Sequence, residues 1–479
     1  MFLLQYAHCK CVKNHAEAPA MITIDKVRDI LARENKKFAA MRPKSKSLAA
    51  RACANFVGGV PMSWMRIWNG GFPIFVDHAH GATLTDVDGN QYVDLCLGDT
   101  GALTGHGHAQ VTDALCAQMK KGITHMLPTE DAVWVGKELE RRFGLPLWQV
   151  LMTASDANRM ALKIAREVTG RKRILAFNFC YHGSVDETLC VSLFGNMMSI
   201  PGAPGPMVQN PSHTTELVEF NDIPALEKAL AKEDIAVVIA EPVMTNVGII
   251  FPDPGFHDAL RALTRKHRTL LLIDETHCIC GGPAGMTGQW DLDPDILVLG
   301  KPIAGGYPAA VLGFTEAIAR KMEKRVPWHL FFGFGGTLSG NAAAMAGIRA
   351  SLTYALTEEN FARMIPLAEK MEKDIQQIID DFKLDWYVAR IGCRVEFRFL
   401  PKPPRNGMET LQEAPYNMAD IFTEGLTGPL EDLIHVYCAN RGILLTPVHE
   451  MALVGPDTTQ ADVDRYTAAL RELIQELAG

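Results

Sequence analysis

The stretches LLLIDE at 270–275 and ILVLGK at 296–301 decide the fold class of this 479-residue chain. Each begins as a run of four Ile, Leu or Val residues and ends in polar residues, and similar runs occupy 174–177 and 235–240. Runs that are apolar throughout are typical of strands buried on both faces. Helical patterns at 111–121, 130–143 and 156–168 alternate with short apolar runs, which predicts an α/β fold whose mainly parallel sheet has helices on both faces.

Polar residues at two of these strand ends are candidates for chemistry, because open α/β sheets bind ligands at the carboxyl ends of their strands. Asp274 could pair with a protonated pyridine nitrogen, and the ordinary alternative is a helix N-cap. Lys301 emerges among glycines, where burial favours the neutral amine that attacks an aldehyde. The alternative for Lys301 is a side chain that extends to solvent.

Two further motifs precede these strands. Thr153, Ala154 and Ser155 stand at a predicted helix N-terminus, where free backbone N–H groups and hydroxyls could hold a phosphate or simply cap the helix. Tyr181, with His182 beside it, follows the run at 174–177 and could stack on a planar ring or only pack. Each motif is weak alone, and their order along the chain is the stronger evidence.

In that order the motifs resemble class III aminotransferases, which are pyridoxal-phosphate (PLP) enzymes of fold-type I, over about residues 55–475. Within this family the chain is most similar to the glutamate-1-semialdehyde aminomutase branch. The stretches that carry the resemblance are DVDGN at 86–90, YHG at 181–183, EPVMTNVG at 241–248, IDE at 273–275, LGKPIAGG at 299–306 and GTLSGN at 336–341.

The resemblance implies a role for each matching residue. Lys301 would carry pyridoxal 5′-phosphate as a Schiff base and move the proton between Cα and C4′, while Asp274 would pair with the ring nitrogen. Tyr181 would stack on the ring. The remaining implied cofactor-binding residues are Thr153, Ala154, Ser155, His182, Glu241, Asn246, Thr276 and Thr337. Thr337 would reach the phosphate of a neighbouring subunit, which implies a homodimer with sites at the interface.

The sequence departs from the family at two parts of the predicted site. Ala154 stands where the family has Gly, which puts a Cβ where the backbone approaches phosphate. Thr276 replaces an apolar residue that sandwiches the ring in many members. These changes bear on the fine geometry of the site and leave the predicted cofactor unchanged.

The substrate pocket also departs from the aminomutase branch, where an Arg before the N-terminal hairpin helps to bind a carboxylate. Either Met65 or Trp64 takes that position here, and Arg66 misses it. A pocket walled by Trp64, Met65 and Trp68 would favour a bulky apolar substituent. Further on, Arg394 and Arg398 could clamp a carboxylate, and the alternative is a surface salt bridge with Glu396. His449 is a weaker pocket candidate.

Three segments are predicted along the chain. Residues 1–109 form an N-terminal segment with a helix at 25–53 and β-hairpins at 73–97, which turn at Asp88-Gly89-Asn90. Residues 110–355 form the large PLP-binding domain. Residues 356–479 form a small α+β domain with helices at 357–381 and 461–478, packed with the N-terminal segment.

Composition excludes several other classes of protein. The formal net charge of -8 offers no basic surplus for nucleic acid or anionic lipid, and no apolar run approaches the roughly 20 residues of a membrane span. Eleven cysteines in so long a chain indicate free thiols in a reducing cytoplasm. No zinc-finger spacing occurs, so no metal is expected. A second methionine at position 21 leaves open whether the first 20 residues are a loose tail or precede the true start.

The sequence therefore predicts a cytoplasmic, PLP-dependent aminotransferase that moves an amino group from an amine or amino acid to a carbonyl acceptor. An aminomutase or an amino-acid racemase needs the same Lys and Asp, so the motifs leave both alternatives open. A protein of this fold that only binds or regulates is a third alternative. The donor, the acceptor and the stereochemistry are not encoded in any motif that we can interpret.

Overall fold

The computed structural model describes residues 22–193, 195–200, 210–325, 334–411 and 428–479, so the first 20 residues, the predicted tail, lie outside them. The strands are β1 Val76–His80, β2 Thr83–Asp86, β3 Gln91–Asp94, β4 Leu147–Leu151, β5 Arg173–Phe177, β6 Cys190–Leu193, β7 Asn196–Ser199, β8 Thr215–Val218, β9 Ile235–Ala240, β10 Leu270–Asp274, β11 Ile296–Leu299, β12 Ala310–Phe314, β13 Tyr387–Ile391, β14 Arg394–Arg398, β15 Ile443–Leu444 and β16 Met451–Leu453. The helices are α1 Ile24–Met41, α2 Pro43–Ala52, α3 Ala109–Met119, α4 Asp131–Phe143, α5 Ala154–Thr169, α6 Ile223–Leu230, α7 Phe256–Lys266, α8 Gly285–Gln289, α9 Glu316–Arg325, α10 Ala342–Ala350, α11 Glu358–Phe382, α12 Gly407–Thr410, α13 Pro429–Ala439 and α14 Gln460–Ala478.

A seven-stranded sheet with the order β4-β12-β11-β10-β9-β5-β8 forms the centre of the molecule. Its strands β8, β5, β9, β10 and β11 pair in parallel. The strand β12 runs antiparallel to both of its neighbours, β11 and β4. The mainly parallel sheet predicted from the apolar runs is therefore confirmed, with one reversed strand that no run indicated.

The central strands bury both of their faces, as their composition predicts. On β9, Val237 and Ile239 pack into one hydrophobic core with α5, while Val238 and Ala240 pack into another with α6 and α7. All six residues of β9 are buried. A strand between two helical layers has no solvent-facing side on which to alternate polar residues, so its sequence is apolar throughout.

The N-terminal segment differs from its prediction at one point. The helix expected at 25–53 is two helices, α1 and α2, because Pro43 cannot continue the hydrogen-bonding ladder of α1 and begins α2 instead. The predicted hairpins are confirmed as β1, β2 and β3, which pair antiparallel. Strand β3 also pairs in parallel with β15, and α1 packs against α13, so the two ends of the described chain share one layer.

The C-terminal residues form a three-stranded antiparallel sheet in the order β13-β14-β16, with α11 packed against β13 and β14. The helices predicted at 357–381 and 461–478 are confirmed as α11 and α14 to within one residue at each end. No helix in the described ranges is long and apolar enough to cross a bilayer. The predicted division at 109 and 355 remains a prediction.

Candidate active site

Lys301 lies directly after β11, on the turn that returns the chain into β12. Its φ of 44° is in the left-handed region, a conformation that costs a non-glycine residue about 1 kcal/mol and that clusters at functional sites. The amine Nζ lies 2.6 Å from Asp99 Oδ2 and 2.7 Å from His277 Nε2. Lys301 thus has two polar partners at its amine and a side chain that is 26% exposed, and its role as the amine that attacks an aldehyde stays a prediction.

Asp274 ends β10, beside β11, and is 4% exposed. Its Oδ2 accepts hydrogen bonds from His182 Nδ1 at 2.9 Å and Asn158 Nδ2 at 2.8 Å, and its Oδ1 accepts one from the backbone N–H of Thr276 at 3.1 Å. Burial opposes ionisation, but these donors and the charge of His182 lower the pKa of Asp274 to about 2. The carboxylate is therefore ionised at neutral pH.

His182 supports Asp274 from behind. Burial disfavours its imidazolium form, yet Cys180 and the hydrogen bond to Asp274 raise the pKa of His182 well above its ordinary value. Its Nε2 is buried without a hydrogen-bond partner. Asn158 holds the same region together, since its Nδ2 also donates to the carbonyl oxygen of His182. His182 was predicted among the cofactor contacts, and here its contact is with the carboxylate of Asp274.

The predicted phosphate cradle is the N-terminus of α5. Thr153 is its N-cap and accepts a hydrogen bond from the backbone of Asp156, so the N–H groups of the first two helical residues, Ala154 and Ser155, have no acceptor within the helix. Ser155 Oγ accepts a hydrogen bond from the backbone of Ser184 at 3.0 Å. Such an N-terminus favours an anion through its N–H groups and its dipole.

Two glycines allow close packing around this cradle. Gly183 has a φ of +82°, and a Cβ built on it would lie 2.1 Å from Ser155 Oγ. A Cβ on Gly300 would lie 2.9 Å from the Ala154 Cβ. The methyl group of Ala154, the residue that departs from the family, is thus accommodated because the residue before Lys301 has no side chain.

Aromatic residues border the site on the N-terminal side. Tyr181 lies 6.3 Å from Trp64 between ring centroids, at an interplanar angle of 72°. Trp64, Met65 and Arg66 lie on a short 3-10 turn and are exposed. Trp68 packs against the core cluster that contains Phe38, and the pocket wall formed by Trp64, Met65 and Trp68 stays a prediction.

Glu241 and Asn246, which the resemblance implies as cofactor-binding residues, both follow β9. Glu241 is 4% exposed and accepts hydrogen bonds from the backbone and hydroxyl of Thr245. Burial raises the pKa of Glu241 to about 7, against the charge of His182. Asn246 Nδ2 donates to the Phe179 carbonyl at 2.9 Å, and the cofactor roles of both residues remain predictions.

Thr276 and Thr337 occupy very different surroundings. The hydroxyl of Thr276 is buried at the site and has no hydrogen-bond partner in the described structure. Such an orphaned polar atom beside Asp274 suits a group that binds there. Thr337 lies exposed on the turn that precedes α10.

The two candidate carboxylate clamps are engaged by acids of the same chain. Arg394 is 1% exposed, and its Nη2 donates to Glu396 Oε2 at 2.8 Å and to the Thr245 carbonyl at 2.9 Å. Arg398 lies 3.4 Å from Glu450 and 3.9 Å from Glu396. The alternative pairing with Glu396 is present, although the pair is buried and not on the surface as expected. His449 joins it through Nδ1, 2.9 Å from Glu396 Oε1.

Sequence reasoning missed Asp99, His277 and Asn158. Asp99 lies in a loop whose residues Leu97, Asp99 and Thr100 all have positive φ, and no pattern indicates such a backbone. Asn158 is a polar residue on the buried face of α5, one turn after the cradle, which is a usable signal. His277 stands three residues after Asp274, among polar residues at a strand end, and could have been found in the same way.

Comparison with known proteins identifies the family and the fold of this chain. The model of the family described as aminotransferase class-III matches residues 65–385. A crystal structure titled as a glutamate-1-semialdehyde-aminomutase from Pseudomonas aeruginosa PAO1 is 43% identical, covers 95% of this chain and 99% of its own, and superposes with a TM-score of 0.91. A β-phenylalanine aminotransferase from Variovorax paradoxus, at 24% identity and a TM-score of 0.81, shares the fold over 94% of this chain and 97% of its own.

Curated relatives are similar to this chain in sequence over about nine-tenths of its length. The glutamate-1-semialdehyde 2,1-aminomutase of Chloroflexus aggregans is 30% identical over 448 residues, which are 91% of this chain and 98% of that protein. The enzyme of the same name from Desulfitobacterium hafniense is 31% identical over 444 residues, 91% of this chain and 98% of its own length. The chain therefore belongs to the class III aminotransferase family of fold-type I, whose cofactor is pyridoxal 5′-phosphate.

Proposed function

We propose that this chain is an aminomutase, which moves an amino group between neighbouring carbons of one amino-aldehyde substrate of the glutamate-1-semialdehyde kind. The observation that carries the proposal is the likeness, over almost the whole chain, to a structure and to curated relatives that bear the aminomutase name. The sequence alone favoured a two-substrate aminotransferase, with the aminomutase as its alternative. The comparisons favour that alternative.

The residues at the site suit pyridoxal phosphate. The N–H groups of Ala154 and Ser155 suit its phosphate, the ionised Asp274 suits a protonated pyridine nitrogen, and the unpartnered hydroxyl of Thr276 suits a polar edge of the ring. Tyr181 supplies an aromatic face. When bound, the cofactor supplies an electron-accepting ring that lets hydrogen leave the amino-bearing carbon as a proton.

Residues of this chain then hold and move that proton. Lys301 Nζ is the base, which takes the proton from one carbon and returns it to another. The carboxylate of Asp274 keeps the ring nitrogen protonated, because His182 and Asn158 hold it ionised within the protein. Thr153 fixes the start of α5, so the anion-binding N–H groups keep their direction.

We further propose that two chains form a cytoplasmic homodimer with the sites at the interface. The exposed apolar side chains of Trp64, Met65 and Leu338 support this, since 53%, 44% and 46% of their surfaces face solvent in a single chain. Thr337, next to Leu338, would then contribute its hydroxyl to the phosphate of the partner's site. Sedimentation of the purified protein, with a Leu338→Asp variant expected to dissociate, tests the assembly.

A two-substrate aminotransferase remains the second candidate, because the substrate side of the site departs from the aminomutase branch. Trp64 or Met65 replaces the arginine of that branch, and Arg394 is paired with Glu396 inside the protein. A pocket bordered by Trp64 and Met65 suits an amine with a bulky apolar group. A racemase would use the same base and is distinguished only by its product.

Product analysis separates the candidates. The holoenzyme is incubated with glutamate 1-semialdehyde alone, and the aminomutase proposal predicts an isomer without any second substrate. Visible absorbance is recorded in parallel before and after each of a panel of amino donors. If a donor removes the visible absorbance band and an added carbonyl acceptor restores it, the aminotransferase is favoured. If the product is the substrate inverted at Cα, a racemase is favoured. A Lys301→Ala protein that turned over at the normal rate would refute every one of these assignments.

A further inference from the structure

His277 makes close contacts with the proposed base of the reaction. Its Nε2 lies 2.7 Å from Lys301 Nζ, and its Nδ1 lies 3.3 Å from Thr100 Oγ1 and 3.5 Å from Arg394 Nη1. The imidazole thus contacts both the amine and Thr100, the residue next to Asp99 in the loop that also reaches the amine. None of the motifs that indicate the family includes this residue, and its side chain is only 18% exposed.

The surroundings of His277 keep it neutral. Charged or titratable groups face it from four elements: Lys301 after β11, Asp99 after β3, Arg394 on β14 and Asp274 on β10. Burial and the charge of Lys301, followed by Arg394, lower the pKa of His277 to about 3 against the opposing charge of Asp99. A neutral imidazole has one donor and one acceptor nitrogen. Because an ammonium group can only donate, Nε2 is the acceptor toward protonated Lys301, and Nδ1 donates toward Thr100.

We propose that His277 is a positioning residue, which accepts a hydrogen bond at Nε2 whenever the Lys301 amine carries the proton that it has taken from the substrate. An ammonium group has three hydrogens. Asp99 Oδ2 at 2.6 Å and His277 Nε2 at 2.7 Å hold two of them, so only the third is directed at the reacting carbons.

The proton balance of the step is simple. The C–H bond breaks, an N–H bond forms on Lys301, and the electron pair of the C–H bond stays with the substrate and cofactor. The same proton then leaves the amine for the second carbon, and the neutral amine is restored. His277 neither gains nor loses a proton, which separates this role from that of a second acid or base. The inference rests on the proposed function of Lys301.

Two variants test the role of the acceptor. His277→Leu removes it, whereas His277→Gln keeps a neutral acceptor that cannot titrate. His257→Leu is the matched control, because His257 is a partly buried imidazole whose Nε2 contacts the Pro242 carbonyl at 2.7 Å and not Lys301. All proteins are prepared without cofactor and compared first by thermal unfolding.

The first measurement is the rate at which each apoprotein captures added pyridoxal phosphate, followed by visible absorbance from pH 6 to pH 11. Capture needs the unprotonated amine, and the loss of an acceptor destabilises the ammonium form. The midpoint should move to lower pH by about one unit in His277→Leu. In His277→Gln and His257→Leu it should move by less than about half of that.

The second measurement is exchange of the substrate's Cα hydrogen with deuterated water, which should slow by about a hundredfold in His277→Leu and by less than about tenfold in His277→Gln. Equal losses in the two variants would overturn the proposal in favour of a titrating role, and a His277→Leu protein with wild-type midpoint and exchange would overturn it outright. A wild-type protein that formed no visible band would instead refute the assignment of Lys301.

Discussion

Replacement of His182 by Leu tests the support of Asp274 most directly. The change removes the donor to Asp274 Oδ2 together with the positive charge that faces Glu241, while Asn158 keeps its own hydrogen bond to the Asp274 carboxylate. The partners of Asp274 lower its pKa to about 2 despite burial, so together they stabilise the ionised carboxylate by roughly 2 to 3 kcal/mol. Since His182 supplies both a hydrogen bond and charge, we expect the variant to lose about 2 to 3 kcal/mol of unfolding free energy.

The pH dependence of this loss has a defined sign. The lowered pKa of Asp274 stabilises the fold above about pH 4 and ceases to do so as the pH falls through about 2. The raised pKa of His182 stabilises the fold fully below about pH 6.5 and ceases to do so as the pH rises through the folded-state value. The difference between the two proteins should therefore be largest between about pH 4 and pH 6.5, and should shrink in more alkaline buffer.

Urea unfolding of the apoproteins, followed by intrinsic fluorescence, measures the loss. A double-mutant cycle with Asp274→Asn isolates the pair, and its coupling energy should exceed about 1.5 kcal/mol. His257→Leu controls for the removal of another imidazole. A coupling energy near zero, or a loss that grew above pH 7, would refute the reasoning that His182 acts as a charged partner of Asp274.

Three other predictions follow from the same geometry. Gly183→Ala should lower the free energy of unfolding by about 2 kcal/mol and weaken cofactor binding at least tenfold, because the new Cβ would meet Ser155 Oγ and the φ of this residue is positive. Fluorescence titration with pyridoxal phosphate measures the affinity, and an unchanged affinity would contradict the prediction. Arg394→Met should cost about 3 kcal/mol because it removes one of the three partners of the buried Glu396 and leaves only His449 and Arg398. The double change with Glu396→Leu should recover most of that loss in urea unfolding. Glu241→Gln should leave the apoprotein's stability nearly unchanged at pH 4.5 and raise it by up to about 3 kcal/mol at pH 8, because the raised pKa of Glu241 makes its ionised form destabilising. A series of melting curves at different pH values measures this difference, and equal curves for the two proteins would argue against the raised pKa.

The parts of the fold that the sequence predicts are those in which one physical requirement acts alone. Strand β9 must be apolar on both faces, so its six residues identify it without any tertiary information. Strand β12 is equally buried, yet nothing in its composition records that it runs in the opposite direction. The direction of β12 is set by the turn at Lys301 and by the pairing with β4, and both depend on the tertiary structure.

The same distinction applies to the site. Asp274 and Lys301 could be found because each follows a recognisable strand, and strand ends converge at one edge of a sheet. Asp99 could not be found from the sequence, because it reaches Lys301 only through a loop with positive φ angles from a distant part of the chain. The alternating pattern of its strand made Arg394 a candidate for binding a substrate carboxylate. The sequence does not show that Arg394 is buried and already forms an ion pair with Glu396.

The pairing of β3 with β15 has a consequence for how the protein is made. Val93 and Ile443 are register partners, although about 350 residues separate them in the chain. At a synthesis rate of roughly 5 to 20 residues per second, β3 must wait roughly 20 to 70 s before its partner leaves the ribosome. During that time the apolar faces of α1 and β3 have no permanent cover. We therefore expect the nascent chain to need a chaperone until its last hundred residues emerge, and expression at low temperature to improve its yield.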